Sequence, residues 1–294
     1  MTKSSVARCA RHAARAISIL SVAAVVSPAQ SLSYFGGLQY ATGDFIFAQR
    51  TWSTYFSNGL AWSADRVHVS ASIPLVLQPA GWLQYNGSGM MVTTGGIGAG
   101  TGRAANAGSA MGHAMNGGTM TPAADVPFSR VGVGDPTGRL ELALFRGDAN
   151  RPLINLVGAV KAPLASVNDG FGTGQWDVGG GLSSALRIDG LSILADAVYW
   201  RIGNPAGASL RNAVAYAVSV GRPLPSERWS VLATVSGASS LWSGLEAPAQ
   251  LGMGLGYQLE SQGSVFVTLA AGLTRTAPAV STGLGWRVPL GTAR

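Results

Sequence analysis

This sequence has little charge. Only 11% of its 294 residues are Asp, Glu, Lys or Arg, whereas 47% are hydrophobic and the mean hydropathy is +0.26. The exterior of a soluble protein of this length carries more charge than that. The composition therefore disfavours a soluble domain and fits a protein whose apolar side chains face lipid.

Cysteine is almost absent, which excludes some kinds of site. The single cysteine, Cys9, lies in a basic segment that precedes a short apolar run, 16–26, and small residues at 27–31. This order predicts a secretory signal peptide over residues 1–31 and a mature chain over 32–294. The mature chain then has no cysteine, so disulfides and thiolate metal sites are excluded from it.

Long apolar runs and basic patches are also missing. The run at 16–26 is too short to cross a bilayer, and no later stretch is apolar enough to predict a transmembrane helix. Four of the 20 basic residues lie within residues 1–31, so the net charge falls from +7 to +3 without them. The remaining arginines are scattered, and a nucleic-acid partner is therefore not expected.

A two-residue period runs through the rest of the chain and is clearest in Gln175–Trp200. From 175 to 187, alternate positions are polar or small on one side and mainly apolar on the other. Asp189 and Gly190 supply turn chemistry, and a second alternating segment follows. Two strands of about ten residues joined by a tight turn form a hairpin long enough to span a membrane.

The fold predicted from this period is all-β, a transmembrane antiparallel β-barrel of about twelve strands in one domain over 32–294. Its apolar face meets lipid and its polar or small face lines the lumen. With the N-terminus taken as periplasmic, every long connection falls on the outer rim, above all a long extracellular loop at 79–136. The predicted strands are 33–41, 45–62, 67–78, 137–146, 152–163, 174–187, 191–202, 211–223, 228–240, 248–260, 263–275 and 278–290.

Tryptophans lie near the predicted strand ends, as in the two aromatic girdles of an outer-membrane barrel. The expected location is accordingly the outer membrane of a diderm bacterium. The periplasmic set is Trp62, Trp229 and Trp286; the outer set is Trp82, Trp176, Trp200 and Trp242; and Trp52 fits neither.

Three segments, at 157–183, 131–144 and 58–77, carry recognisable motifs, and together they resemble a family of outer-membrane transporters named for the meta-pathway of phenol degradation. Residues 157–183, VGAVKAPLASVNDGFGTGQWDVGGGLS, are similar to its pattern of a strand, Lys-Ala-Pro, an outer loop, Gly-Thr-Gly and a Trp-Asp strand. Residues 131–144 resemble its Gly-x-Gly-Asp segment, and residues 58–77 resemble its hairpin with an Asp-Arg turn. The resemblance implies a barrel associated with uptake of small, often hydrophobic organic compounds.

The predicted function is therefore an outer-membrane channel or transporter for small hydrophobic or aromatic solutes. Its partners would be the lipid bilayer, the solute and the barrel assembly machinery, and no cofactor is predicted. Such barrels commonly end on an aromatic residue that this machinery reads. The last residues of this sequence, 288–294, contain no aromatic side chain. Trp286 and Leu290 are therefore the candidates for that signal.

The alternation sends charged and amide side chains into the lumen. As pore lining they would set solute selectivity. Alternatively, they pair across neighbouring strands and help to plug the barrel, since a barrel of about twelve strands can be open or filled. The predicted pore-lining residues are Arg139, Glu141, Asn155, Lys161, Asp177, Arg187, Asp196 and Arg211.

The long outer loop, 79–136, is rich in glycine and alanine and is predicted to gate the lumen. Within it, Met111, His113 and Met115 bring two thioethers and an imidazole close together, a set that suits copper. A metal-binding barrel is therefore one alternative. A plugged structural or adhesive barrel, with this loop flexible or folded inward, is another.

His68 and Ser70 share one strand face, where an imidazole can activate a hydroxyl. Both side chains are expected to point into the lumen, away from lipid substrates. No third member of a triad is identifiable from its spacing. An enzyme is therefore not predicted.

Overall fold

The computed structural model describes residues 30–44, 50–78, 83–86, 90–93, 130–147, 151–166, 171–204, 210–225, 228–241, 243–260 and 263–292. These ranges contain fifteen β-strands and no helix long and apolar enough to cross a membrane. The strands are β1 (Ser31–Gly43), β2 (Thr51–Ala64), β3 (Val67–Gln78), β4 (Leu83–Asn86), β5 (Met90–Thr93), β6 (Arg130–Val133), β7 (Thr137–Phe145), β8 (Leu153–Lys161), β9 (Asp177–Ile188), β10 (Leu191–Arg201), β11 (Ala213–Pro223), β12 (Trp229–Ala238), β13 (Ala249–Gln258), β14 (Ser264–Gly272) and β15 (Val280–Thr292).

The strands close into an antiparallel barrel with twelve positions. Neighbours follow the chain order, and β15 returns to pair with β1. One position is shared, because β6 pairs with the outer part of β3 and β7 pairs with its periplasmic part. The short strands β4 and β5 form a separate hairpin. The predicted fold, an all-β transmembrane barrel of about twelve strands, is confirmed.

The β9–β10 hairpin shows why the sequence folds in this register. Ile188 pairs with Leu191 across a turn in which Asp189 and Gly190 have φ values of 48° and 77°. Positive φ at both central residues is the type I′ turn, which matches the twist of a hairpin and suits Asp-Gly. A shift of one residue would send the apolar set into the lumen, so the turn and the alternation agree.

Large apolar side chains cover the outward face of the barrel. Leu38, Val69, Leu140, Leu251 and Leu284 are all exposed on it. In water such a surface would be costly, whereas a bilayer covers it. In the closed ring the backbone groups of neighbouring strands bond to one another, as the hydrocarbon layer requires. The outward face is therefore the membrane-facing one.

The periplasmic aromatic girdle lies where the sequence predicts it. Trp62, Trp229 and Trp286 take outward positions in the register, near the rim that carries both chain ends. Trp229 packs on Tyr257 with ring centroids 4.7 Å apart, and Trp286 lies 6.0 Å from Phe56. These tilted ring pairs add stability beyond their buried area.

The outer girdle differs from the prediction at two positions. Because β2 begins at Thr51, Trp52 lies at the outer end and stacks with Tyr40 at 6.4 Å. Trp200 was predicted to belong to this girdle, and that prediction is wrong: it pairs with Gly179 on the inward face and is buried. Trp176 is exposed at the outer rim, while Trp82 and Trp242 lie outside the described residues.

The long outer loop is shorter than predicted. β6 lies within the range 79–136 but belongs to the barrel wall, since Val131 and Val133 pair with Leu77 and Leu75. Residues 94–129 of this loop and residues 1–29 of the predicted signal peptide lie outside the described ranges. The wall of the barrel therefore includes β6, paired with the outer part of β3, in a range that was predicted to be loop.

Candidate functional site

The lumen has a filled outer half and a more accessible periplasmic half. Toward the outer rim, inward side chains such as Ala41, Tyr55 and Ala213 are buried. Toward the periplasmic rim, inward side chains such as Ser33 and His68 are partly exposed. The inward side chains are therefore packed more closely in the outer half of the barrel than in its periplasmic half.

An apolar cluster fills this outer half, and we call it the outer cluster. Trp200 of β10 packs there with Phe171, Leu210 and Leu241, which come from three different outer connections. The ring of Phe171 lies on Gly132 of β6, where an added Cβ would come within 2.3 Å of it. Burying a large apolar side chain contributes roughly 1.5–3 kcal/mol, so this packing favours a closed outer mouth.

A buried ion cluster lies next to Phe171. Lys161 Nζ is 3.1 Å from Asp135 Oδ2, 2.9 Å from Asp177 Oδ2 and 2.9 Å from Thr173 Oγ1. The side chains of Lys161 and Asp135 are only 5% and 1% exposed. The amide of Gly203 donates a hydrogen bond to Asp177. The cluster therefore ties the β6–β7 joint and two outer connections to the end of β8.

A polar wall lies on the inward faces of β7 to β10. Arg139 Nε donates to Glu141 Oε1 at 2.6 Å, and its terminal nitrogen donates to Asp196 three strands away. Asn155 donates to Glu141 at 3.2 Å and to Ser183 at 3.1 Å. One guanidinium therefore neutralises part of the charge of two carboxylates, and these charged side chains are still partly exposed to the lumen.

A neutral chamber of about 380 Å³ lies along β12 to β15 and β1 to β3. Among the described residues, no Asp, Glu, Lys, Arg or His lines it. Glycines and apolar side chains form most of its surface, with a few amides and hydroxyls. The main inward residues are Phe35, Gly37, Gln39, Ser57, Leu232, Thr234, Gln250, Gly252, Gly254, Phe266, Thr268, Gly283 and Gly285.

Two aromatic rings of the chamber pack directly against glycines. A Cβ on Gly59 would lie 2.3 Å from the ring of Phe35, and one on Gly285 would lie 2.0 Å from the ring of Phe266. Any larger residue at these two positions would push the ring away. The glycines therefore let both rings lie against the wall and leave the chamber open.

The predicted pore-lining residues fall into three groups. Four lie in the polar wall and two in the buried ion cluster, where they pair between strands. Arg187 faces inward and is exposed at the periplasmic mouth, whereas Arg211 precedes β11 and is exposed near the outer rim. The residues in the wall and the ion cluster are Arg139, Glu141, Asn155, Asp196, Lys161 and Asp177.

The copper hypothesis concerns residues outside the described ranges. Met111, His113 and Met115 all lie there, so a metal site in the long loop stays a prediction. Within the described ranges, no group of three His, Cys, Asp or Glu side chains is arranged to hold a metal ion.

The hydrogen-bond partner of His68 is Ser63. Its Nδ1 lies 2.6 Å from Ser63 Oγ, across the β2–β3 pair. Val69 and Ala71 occupy the opposite, outward face, as predicted. Ser70 shares the inward face with His68 but is not its hydrogen-bond partner. The pair is a hydrogen-bonded polar contact on the inner wall.

Sequence reasoning missed the apolar lining of the chamber because it looked for charged and amide groups. The alternation already placed Phe266 on the inward set of β14, together with Thr268 and Gly272. Phe35 and Leu232 have the same inward parity on β1 and β12. Inward aromatic residues opposite inward glycines are the signal that would have found this surface.

No protein-family model and no curated protein sequence matches this chain. Among solved structures, an outer membrane channel from Pseudomonas putida F1 is similar, with a TM-score of 0.55 and 11% identity over 90% of this chain and 97% of that one. The CymD monoaromatic hydrocarbon channel has a TM-score of 0.45 and 10% identity over 92% and 90% of the chains. Outer membrane phospholipase A from Escherichia coli has a TM-score of 0.38 and 11% identity over 87% and 92%.

At these identities the likeness concerns the fold. The first of these structures shares the outer-membrane barrel architecture across nearly all of both chains. Together with the apolar outward face, this confirms the predicted location of the chain in an outer membrane.

Proposed function

We propose that this barrel is a passive channel for small, mainly apolar and aromatic organic solutes. The observation that carries the proposal is the neutral chamber of about 380 Å³ between Phe35, Leu232 and Phe266. An apolar cavity of about 150 Å³ already holds benzene, so the chamber has room for a compound of one or two rings. Its sparse amides and hydroxyls suit a solute with few polar groups.

The two rings that pack against glycines are consistent with an apolar or aromatic solute. Phe35 and Phe266 line the chamber next to glycines, which leave stretches of backbone free of side chains. A planar solute ring can pack closely against such surfaces. A contact between two aromatic rings contributes roughly 0.5–1.5 kcal/mol beyond the contribution of the buried area. A fully hydrated ion gains nothing comparable there.

The closed outer mouth gives the channel its resting state. The outer cluster and the buried Lys161 cluster hold the outer connections over the lumen. A solute passes when these connections separate, and it then reaches the accessible periplasmic half. The polar wall next to the path sets which charged species can follow. The role predicted for the loop at 79–136 would add to this barrier.

The test is single-channel recording of the refolded mature chain in a planar bilayer, with benzyl alcohol as the solute. We expect ion current while the outer mouth is open, with brief solute-dependent interruptions of these open periods as the chamber fills. Gly254→Phe places a ring in the chamber and should abolish these interruptions; Gly254→Ala, a smaller change, should reduce them. Leu255→Phe is the matched control, because the next residue of β13 faces lipid.

Two results would contradict the proposal. One is a refolded barrel that conducts no ions with or without solute. The other is an interruption frequency that is the same for Gly254→Phe and Leu255→Phe. The first result would leave a plugged barrel as the better description, and the second would place solute binding outside the chamber.

A further inference from the structure

Trp200 carries a buried donor that none of the described residues satisfies. Its side chain is only 8% exposed and faces the lumen from the outer end of β10. The indole Nε1 has no hydrogen-bond partner within the described part of the chain. Buried indole N–H groups usually have an acceptor, and leaving one without an acceptor destabilises the fold. This side chain is therefore unusual for a packing residue.

Packing alone does not account for an indole at this position. Phe171, Leu210 and Leu241 of the outer cluster are apolar, and the hydroxyl of Tyr55, which belongs to the same cluster, does not accept from the indole. On the wall side, the ring lies against Gly179, where an added Cβ would come within 3.0 Å of the Cδ2 atom. A phenylalanine would fill an apolar site without an unmatched N–H. The nearby Lys161, in contrast, is fully bonded.

The position of Trp200 makes it part of the solute path. The outer cluster is the barrier between the outside and the rest of the lumen, so a solute that crosses must separate its side chains. While it does so, an acceptor atom on the solute can take the indole hydrogen bond. An otherwise similar hydrocarbon leaves the donor unmatched.

We propose that Trp200 is a specificity-determining residue at a second solute-binding site in the outer half of the lumen. The solutes it selects are compact aromatic compounds that carry a hydrogen-bond acceptor, such as a carbonyl oxygen, over hydrocarbons of the same size. The inference rests on the proposed channel function only in that solute must reach this part of the lumen. A net hydrogen bond of ordinary strength corresponds to a preference of about 2- to 10-fold.

The direct test observes the indole proton in the intact barrel. In ¹⁵N-labelled protein in micelles, the Trp200 indole N–H signal is assigned by its loss in Trp200→Phe. Acetophenone and ethylbenzene, which differ by a carbonyl in place of a methylene, are then titrated separately. We expect a downfield shift of this signal with acetophenone and a much smaller one with ethylbenzene. Equal shifts, or no shift with either compound, would overturn the proposal.

Current recordings give the second readout. In the wild-type barrel, interruptions by acetophenone should last about 2 to 10 times longer than those by ethylbenzene, and Trp200→Phe should remove that difference. Trp176→Phe is the control, because Trp176 is 59% exposed at the outer rim. A preference that survives in Trp200→Phe would refute the role of the indole. An indole shift in a barrel that passes no current would refute the channel and leave this binding site standing.

Discussion

The ring of Phe266 covers Gly285 so closely that a Cβ on Gly285 would lie 2.0 Å from the ring. The two residues are paired across β14 and β15 and both face the neutral chamber. A glycine is therefore required for the observed position of the ring. The same chamber contains Gly254, where the nearest atom to an added Cβ is 3.6 Å away.

This difference predicts that adding one methyl group will change the free energy of unfolding more at Gly285 than at Gly254. Gly285→Ala must displace the Phe266 ring, and such overpacking costs about 1–3 kcal/mol of unfolding free energy. Gly254→Ala meets only ordinary contacts and should change stability by less than about 0.5 kcal/mol. Urea unfolding in micelles, followed by the loss of the compact gel-mobility form, measures both. Equal destabilisation of the two variants would show that the ring is not fixed by the glycine.

Replacing Lys161 with methionine should open the outer mouth. The change leaves Asp135 and Asp177 as buried carboxylates without a cation, and breaking a buried pair in this way costs about 3–5 kcal/mol. The outer connections that the cluster holds should then separate, so we expect a larger mean conductance in planar bilayers. The double replacement of both aspartates by asparagine in the Lys161→Met background should restore closure.

The control for this prediction is an exposed ion pair. Arg146 and Asp65 pair at the periplasmic rim with side chains 53% and 66% exposed. Pairs of this kind contribute about 0–1 kcal/mol, so Arg146→Met should leave the conductance and the stability nearly unchanged. If Lys161→Met behaves like Arg146→Met, the buried cluster does not hold the mouth closed.

Removing Arg139 should change the ion selectivity of the lumen. Arg139→Gln leaves Glu141 and Asp196 without their cation, so the polar wall becomes negative and attracts cations. We expect the reversal potential in a KCl gradient to move toward the potassium equilibrium potential. Arg139→Lys keeps the charge and should shift it far less. An unchanged reversal potential in Arg139→Gln would place the ion path away from this wall.

Brominated lipids distinguish inward from outward tryptophans. In single-tryptophan variants, Trp286 should be strongly quenched because it lies on the outward face. Trp200 should be quenched little, since the barrel wall separates it from the acyl chains. Strong quenching of both would mean that Trp200 faces lipid, as the sequence alone first suggested.

The strands were predictable because a barrel wall imposes one rule on every residue. A side chain of β9 or β14 faces either lipid or lumen, and the two-residue period states which. Trp200 lies near a strand end, which predicts a place in the outer girdle. It is also four residues from Asp196, however, so the two-residue period places both side chains on the inward face. The start of β2 at Thr51 was missed because Gln49 to Tyr55 has no clean alternation.

The pairings inside the lumen could not be predicted in the same way. Arg139 bonds Asp196, which is 57 positions further along the chain, and this depends on side-chain reach across two intervening strands. The contact of Phe171 with Gly132 joins a loop to the short strand β6, which the sequence pattern predicts to be part of a loop. Periodicity gives the direction of a side chain but not its partner.

The pairing of β1 with β15 also decides when this protein can finish folding. It joins residues far apart in the chain, such as Thr42 and Val280, and among the described strands it is the pairing that closes the ring. Until the last strand has been synthesised and exported, β1 presents an unpaired edge that invites aggregation. Such long-range closure is slow. The nascent chain must therefore be kept from misassociating until its final strand arrives.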